Sequence, residues 1–221
     1  MTRGPTIITI DGAAGSGKST LGKALAAALS LPYINTGLMY RHLTREALAA
    51  TVDSGDGADL AALLGGMEFS LSDGDPPELL IDGRVPSRDL QGRAVEAEVS
   101  HVARHPEVRA LMRARQRALG SRTGAVMEGR DIGSVVFPEA PLKLYLSAHP
   151  VDRAARRTDE RSLTSEEVAA SLHRRDRKDA TVTPFEPPPG SVILDTTDLD
   201  ITETLAAALG LVRQYVPGVG S

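Results

Sequence analysis

Apolar and polar positions alternate along this chain in two rhythms, which replace one another in a regular order. Thr6 to Asp11 (TIITID) is a β-branched apolar run and predicts a buried strand. Gly12 to Gly17 is a glycine-rich turn, and Lys18 to Leu29 then carries apolar residues at helical spacing among many alanines. Pro32 to Asn35 predicts a second short strand and Gly37 to Ala50 a second helix. Ser54 to Asp56 reads as a surface loop. Met67 to Ser72 and Glu78 to Asp82 are short alternating runs around the turn cluster Asp73-Gly-Asp-Pro-Pro, the signature of a β-hairpin. Helical spacing returns around 92–105 and 107–119. Ala125 to Glu128 and Leu142 to Leu146 read as core strands. Val151 to Arg161 and Ser165 to Arg177 read as basic helices, Ser191 to Asp195 as a last strand and Ile201 to Tyr215 as a last helix.

Strands alternating with helices predict an α/β fold, a doubly wound parallel sheet with helices on both faces. The segment 60–105 breaks the alternation and reads as an inserted mixed α/β subdomain within one domain spanning 1–221.

Composition narrows the picture. Of 221 residues, 41% are hydrophobic and 24% charged, which suits a globular domain with a sizeable core. The net charge of −4 argues against binding nucleic acid through overall positive charge. There is no cysteine, so disulfides, thiol chemistry and Cys-ligated metals are excluded. No apolar run is long enough to span a membrane, and Met1-Thr-Arg-Gly-Pro leads into a strand without a signal-peptide core, so a cytoplasmic location and no membrane partner are expected. A monomer is the expected state.

Gly12-Ala-Ala-Gly-Ser-Gly-Lys18-Ser19 matches G-x-x-x-x-G-K-[ST] between a predicted strand and a predicted helix, the P-loop NTPase arrangement. Glycines let the chain curl so that successive N–H groups point inward as an anion nest, and the helix start adds its positive dipole end. Lys18 brings a mobile cation to the β- and γ-phosphates. Ser19 offers a hydroxyl to Mg²⁺, a hard cation that prefers oxygen. Gly12, Ala13, Ala14, Gly15, Ser16, Gly17, Lys18, Ser19 and Thr20 are the expected ATP-binding set. Many reactions share this loop, so it does not fix the activity.

Asn35 to Arg41 and Glu128 to Gly133 each follow a strand, which places both at the carboxyl-end crevice of such a sheet. An arginine there can clamp a phosphate bidentately, and an aspartate beside it can accept from an amino group. With these strings in view, the chain resembles the bacterial cytidylate kinases. The resemblance rests on Ile10 to Ser19, Thr36-Gly-Leu-Met-Tyr-Arg41, Glu128-Gly-Arg-Asp-Ile-Gly-Ser-Val-Val-Phe-Pro-Glu-Ala140, Arg175-Asp176 with Asp179, and Asp195-Thr-Thr197. It spans nearly the whole chain, and the 60–105 segment resembles that family's enlarged monophosphate-binding region. It implies ATP-dependent phosphorylation of CMP and dCMP. It also implies that Thr36, Arg41 and Arg130 hold the CMP phosphate, that Ser100, Arg109 and Asp131 read the cytosine, and that Arg175 and Asp179 lie along phosphate and ribose.

Val151 to Arg161 carries four arginines, and Arg153 and Arg157 share a helical face. A basic face alone fits a solvated surface equally well. Its place after the Leu142–Leu146 strand resembles the short lid of monophosphate kinases, expected over 151–164, and assigns Arg153 and Arg157 to catalysis beside Lys18. The histidines form no metal-like pattern, and a phosphate nucleophile needs no general base. One departure stands out. The family's usual arginine three positions after Asp179 is Val182 here, and Lys178, nearly on the face of Arg175, is the expected partial substitute. A kinase for another small acceptor and a non-catalytic nucleotide switch remain as alternatives, although no N-K-x-D guanine-recognition string is present.

Overall fold

The computed structural model describes residues 5–149, 151–153 and 186–219. Its centre is a five-stranded sheet. The strands are β1 (Ile7–Gly12), β2 (Tyr33–Asn35), β5 (Ala125–Gly129), β6 (Leu142–Ser147) and β7 (Val192–Asp195), in the order β2-β5-β1-β6-β7. All four pairings are parallel, with Asp11 opposite both Gly129 and Tyr145. The expected α/β class and parallel sheet are therefore observed. Parallel strands buried on both faces read as apolar runs, and every residue of β1 is buried.

Successive side chains of β1 divide the interior in two. Ile8 and Ile10 meet Leu21 and Leu25 of helix α1 (Lys18–Leu29) and Ala208 and Val212 of the C-terminal helix α6 (Ile201–Tyr215). Ile7 faces the other way. There it joins Met39 and Leu43 of α2 (Thr36–Ala49), Leu60 and Leu64 of α3 (Gly57–Gly65) and Val108 and Met112 of α5 (Pro106–Thr123).

The interruption of the alternation is real. It comprises α3, a hairpin of β3 (Phe69–Leu71) and β4 (Leu79–Ile81), a 3₁₀ turn at Arg88–Gln91 and α4 (Arg93–Val102). The hairpin touches the main sheet through a bridge between Tyr33 and Glu78. Helix α3 packs on α5, and α4 packs on α2.

Two elements depart from the expectation. The stretch after Asp56 is helix α3 rather than loop alone, started by the Asp56 carboxylate accepting from Ala58 and Asp59 N–H at 2.9 and 3.0 Å. Beyond β5 the chain forms a wide helical turn at Ile132–Val136, in which Val135 and Val136 N–H both donate to the Asp131 carbonyl. The expected helix over 151–161 is described only at 151–153, which is helical, and the one over 165–177 lies outside the described residues.

Candidate active site

The carboxyl ends of β1, β5 and β2 converge on one crevice. Strand β1 runs straight into the phosphate loop, and α1 begins at Lys18. Gly12 has φ +147°, and a Cβ there would lie 2.4 Å from the Leu146 carbonyl oxygen, so the loop can leave the sheet at this point only without a side chain. The Lys18 ammonium folds back over the loop and donates to the Ala13 carbonyl at 2.6 Å. The Arg153 guanidinium reaches the same loop and donates to the Ala14 carbonyl at 3.0 Å. Both cations thus lie against the loop.

Ser19 donates its hydroxyl proton to Glu128 Oε1 at 2.7 Å, which leaves the oxygen's lone pairs to act as ligands. Tyr33 donates to the same carboxylate oxygen at 2.6 Å. Burial pushes the Tyr33 phenol above its ordinary range, so it remains a donor. Asn35 closes the chain by donating to Tyr33 at 3.3 Å while its own carbonyl caps α2 at Leu38 N–H. Glu128 is buried, yet its Oε2 has no hydrogen-bond partner among the described residues. Such an orphan acceptor beside the Ser19 hydroxyl suits a hydrated cation, whose bound waters are donors. The donor set of Ser19 and Glu128 thus fits Mg²⁺. No group of three or more His, Asp or Glu side chains among the described residues could hold a metal by itself.

The turn after β5 ties this loop to helix α5. Arg130 donates to the Gly12 carbonyl at 3.1 Å. Asp131, its neighbour, forms an ion pair with Arg109 of α5. Thr36 at the start of α2 donates to the Glu128 carbonyl at 2.8 Å. Arg41, further along α2, is buried, donates to the Leu90 carbonyl at 3.0 Å and lies 3.9 Å from Glu96 of α4. Ser100 sits on the buried face of α4 with Val95, Val99 and Val102. Of the three expected base readers, Ser100, Arg109 and Asp131, the last two are in contact. Arg157, Arg175, Asp179, Lys178 and Val182 lie outside the described residues.

The Asp11 carboxylate is fully buried and grips this turn. Its two oxygens accept from Ile132 N–H at 2.8 Å and Gly133 N–H at 2.7 Å. Burial pushes its pKa from 3.8 up to about 6. The two amides and Lys18 oppose the rise, and nearby Asp131 adds to it.

A cavity of about 360 Å³ opens beside the phosphate loop, between Gly15–Thr20 and the β7–α6 connection. Leu146, Thr196, Leu199, Asp200, Ile201 and Thr204 complete its wall, and Thr196 donates to the Ser16 carbonyl at 3.4 Å. Sequence reading gave none of these wall residues a role, although Asp195-Thr-Thr197 was part of the resemblance. Asp11, Tyr33 and the side chain of Glu128 likewise carry no assigned role in the sequence pattern. The available signal was a carboxylate at or near the end of an otherwise apolar strand, where a core residue would be expected.

A phosphate loop between the central strand and the first helix, with cations converging on it from two other elements, defines a P-loop nucleotide-binding protein of kinase type. A family profile described as cytidylate kinase matches residues 8–214. A cytidylate kinase of Roseiflexus castenholzii is 48% identical over 162 residues, covering 71% of this chain and 70% of that protein. A cytidylate kinase of Geobacillus thermodenitrificans is 41% identical over 217 residues, covering 95% of this chain and 97% of that one. A bifunctional pantoate ligase/cytidylate kinase of a Synechococcus strain is 37% identical over 225 residues, which are 97% of this chain and only 42% of that protein. The chain belongs to the cytidylate kinase family.

Proposed function

We propose that this protein transfers the γ-phosphoryl group of ATP to the α-phosphate of CMP, and of dCMP, giving ADP and the pyrimidine diphosphate. The observation that carries the reading is the single turn after β5, where Arg130 reaches the phosphate loop while Asp131 meets Arg109. Two phosphate-binding regions and a base-reading pair are thereby adjacent, as transfer between two nucleotides requires.

In this reading the loop amides and Lys18 hold the triphosphate, and the cavity beside the loop takes the rest of the donor, with Leu199 and Ile201 offering apolar surface to the base. Thr36, Arg41 and Arg130 hold the acceptor phosphate. Asp131 accepts from the cytosine amino group, supported by Arg109 and Ser100. Ser19 and Glu128 would hold Mg²⁺, which would supply neutralisation of phosphate charge. An acceptor phosphate oxygen attacks the γ-phosphorus, the bond to the β-bridging oxygen breaks, and Lys18 and Arg153 spread their charge over the transferring group. No protein base is required. The segment 60–105 serves as the monophosphate-binding subdomain and 151–164 as a lid excluding water. Arg157 acts with the lid, and Arg175 and Asp179 with the acceptor. The protein works as a cytoplasmic monomer on small-molecule substrates, without nucleic acid or membrane.

A coupled assay over CMP, dCMP, UMP and AMP tests this, with Asp131→Asn beside the wild type. CMP and dCMP are expected to lead, and Asp131→Asn to narrow the CMP-to-UMP ratio of kcat/KM by roughly tenfold, because a uracil carbonyl meets the carboxylate acceptor against acceptor. A panel in which CMP is not phosphorylated overturns the reading.

A further inference from the structure

We propose that Asp11 is a positioning residue of the acceptor site, fixing the Arg130–Asp131 pair against the phosphate loop by holding the two backbone amides that follow the pair. The proposal deepens the reading above and rests on its assignment of Arg130 and Asp131 to the acceptor.

Four observations combine. Asp11 is the residue before Gly12, so it belongs to the strand that becomes the phosphate loop. Both its oxygens are committed to Ile132 and Gly133 N–H, at 2.8 and 2.7 Å. The next residue, Gly12, accepts from the Arg130 guanidinium at 3.1 Å. The dipeptide Asp11-Gly12 therefore holds the turn on both sides of Asp131. The approach is also close. A Cβ on Gly133 would lie 2.8 Å from Thr9 Oγ1 and 3.2 Å from Asp11 Oδ2, so the turn can seat on the carboxylate only because that residue is glycine. Without this grip, Asp131 would keep its pairing with Arg109 but lose its fixed place relative to the loop. An error of about an ångström at a reacting or recognising group costs far more than the hydrogen bond itself.

The charged groups acting on the carboxylate are Lys18 of α1 and Asp131 of the turn; on β6, Tyr145 lies opposite Asp11, and the Lys143 ammonium is turned to the Pro138 and Pro189 carbonyls. Asp11 titrates within reach of neutral pH, and protonation turns one acceptor oxygen into a donor facing an amide. Acceptor binding is therefore expected to weaken as pH falls through about 6. The acceptor's phosphate has its own second ionisation near 6. The informative quantity is thus the wild-type profile compared with that of a variant that cannot titrate.

The experiment uses the full chain. Asp11→Asn is assayed for KM of CMP, KM of Mg·ATP, the CMP-to-UMP ratio and the pH profile. Gly133→Ala displaces the same contact from the other side. In the wild type, the Ile132 and Gly133 amide resonances are followed against pH by NMR, without substrate. Both variants are expected to raise KM for CMP roughly tenfold or more and to narrow base selectivity, with KM for Mg·ATP changed less than about twofold. The acid-side excess in the CMP profile is expected to vanish in Asp11→Asn, and the two amides to titrate together near pH 6. Equal rises in both KM values, unchanged CMP selectivity, or amides that do not move overturn the proposal. If Asp11→Asn fails to fold, Gly133→Ala and the wild-type amides decide. If the wild type phosphorylates no CMP, the functional reading fails separately, since the amide titration needs no substrate.

Discussion

Single residues here carry charges that the fold alone would not choose. Asp11 is the clearest. Burial lifts its pKa from 3.8 to about 6, so the folded state favours the protonated acid. That contribution to stability is fully present below the unfolded value near 3.8 and is lost as pH rises through 6. At neutral pH the ionised carboxylate therefore costs the fold about 3 kcal/mol. The wild type should gain stability relative to Asp11→Asn as pH is lowered from about 7.5 to about 5, read as the difference in Tm or denaturant midpoint between the two proteins. A constant difference would show that the carboxylate titrates elsewhere. Lys18 presents the complementary case. Its ammonium rests on the Ala13 carbonyl, a contact that a phosphate would replace. Lys18→Ala should keep the fold, judged by circular dichroism, and lower turnover by ~10³ or more, since a cationic contact to a transferring phosphoryl group is worth that much.

At the scale of elements, what the sequence disclosed follows from how each segment is buried. Strands β1, β5 and β6 are covered on both faces, so they read as apolar runs and were legible. Helices α1 and α6 carry strong spacing, and their observed limits, Lys18–Leu29 and Ile201–Tyr215, coincide with the reading. Helix α3 was not read because its span, Gly57–Gly65, has a glycine at each end, and only Leu60 and Leu64 are buried. Its one clear start signal was Asp56. Asp56→Ala should lower stability by about 1 kcal/mol, measured by chemical denaturation, with no effect on KM for Mg·ATP. The site divides in the same way. The phosphate loop is legible because its residue types are demanded locally, and Arg130 and Asp131 stand out because they follow a strand directly. Asp11, Glu128 and Tyr33 were hidden because their partners lie far away in sequence, as with Ser19 and Glu128, and only the assembled sheet joins them. The wide turn at Ile132–Val136 was hidden as well, since Ile-Gly-Ser-Val-Val shows no helical period.

At the scale of the whole molecule, the sheet separates two interiors that adjoin different halves of the site. Leu21 and Leu25 with Ala208 and Val212 underlie α1 and α6, which line the phosphate loop and its cavity. Met39, Leu43, Leu60, Leu64 and Met112 underlie α2 and α5, which carry Thr36, Arg41 and Arg109. Truncating a fully buried leucine costs about 2–5 kcal/mol in either place. The functional consequence should differ by side. Leu64→Ala should raise KM for CMP with little change for Mg·ATP, and Leu25→Ala should do the reverse, measured in steady-state assays well below both melting temperatures. Matching changes in both constants for either variant would show that the sheet transmits the disturbance. A partition of this kind also bears on inheritance. On the proposed assignment, substitutions that reshape the acceptor pocket fall in one interior while the packing behind the phosphate loop stays intact, so acceptor choice can change without loss of donor binding.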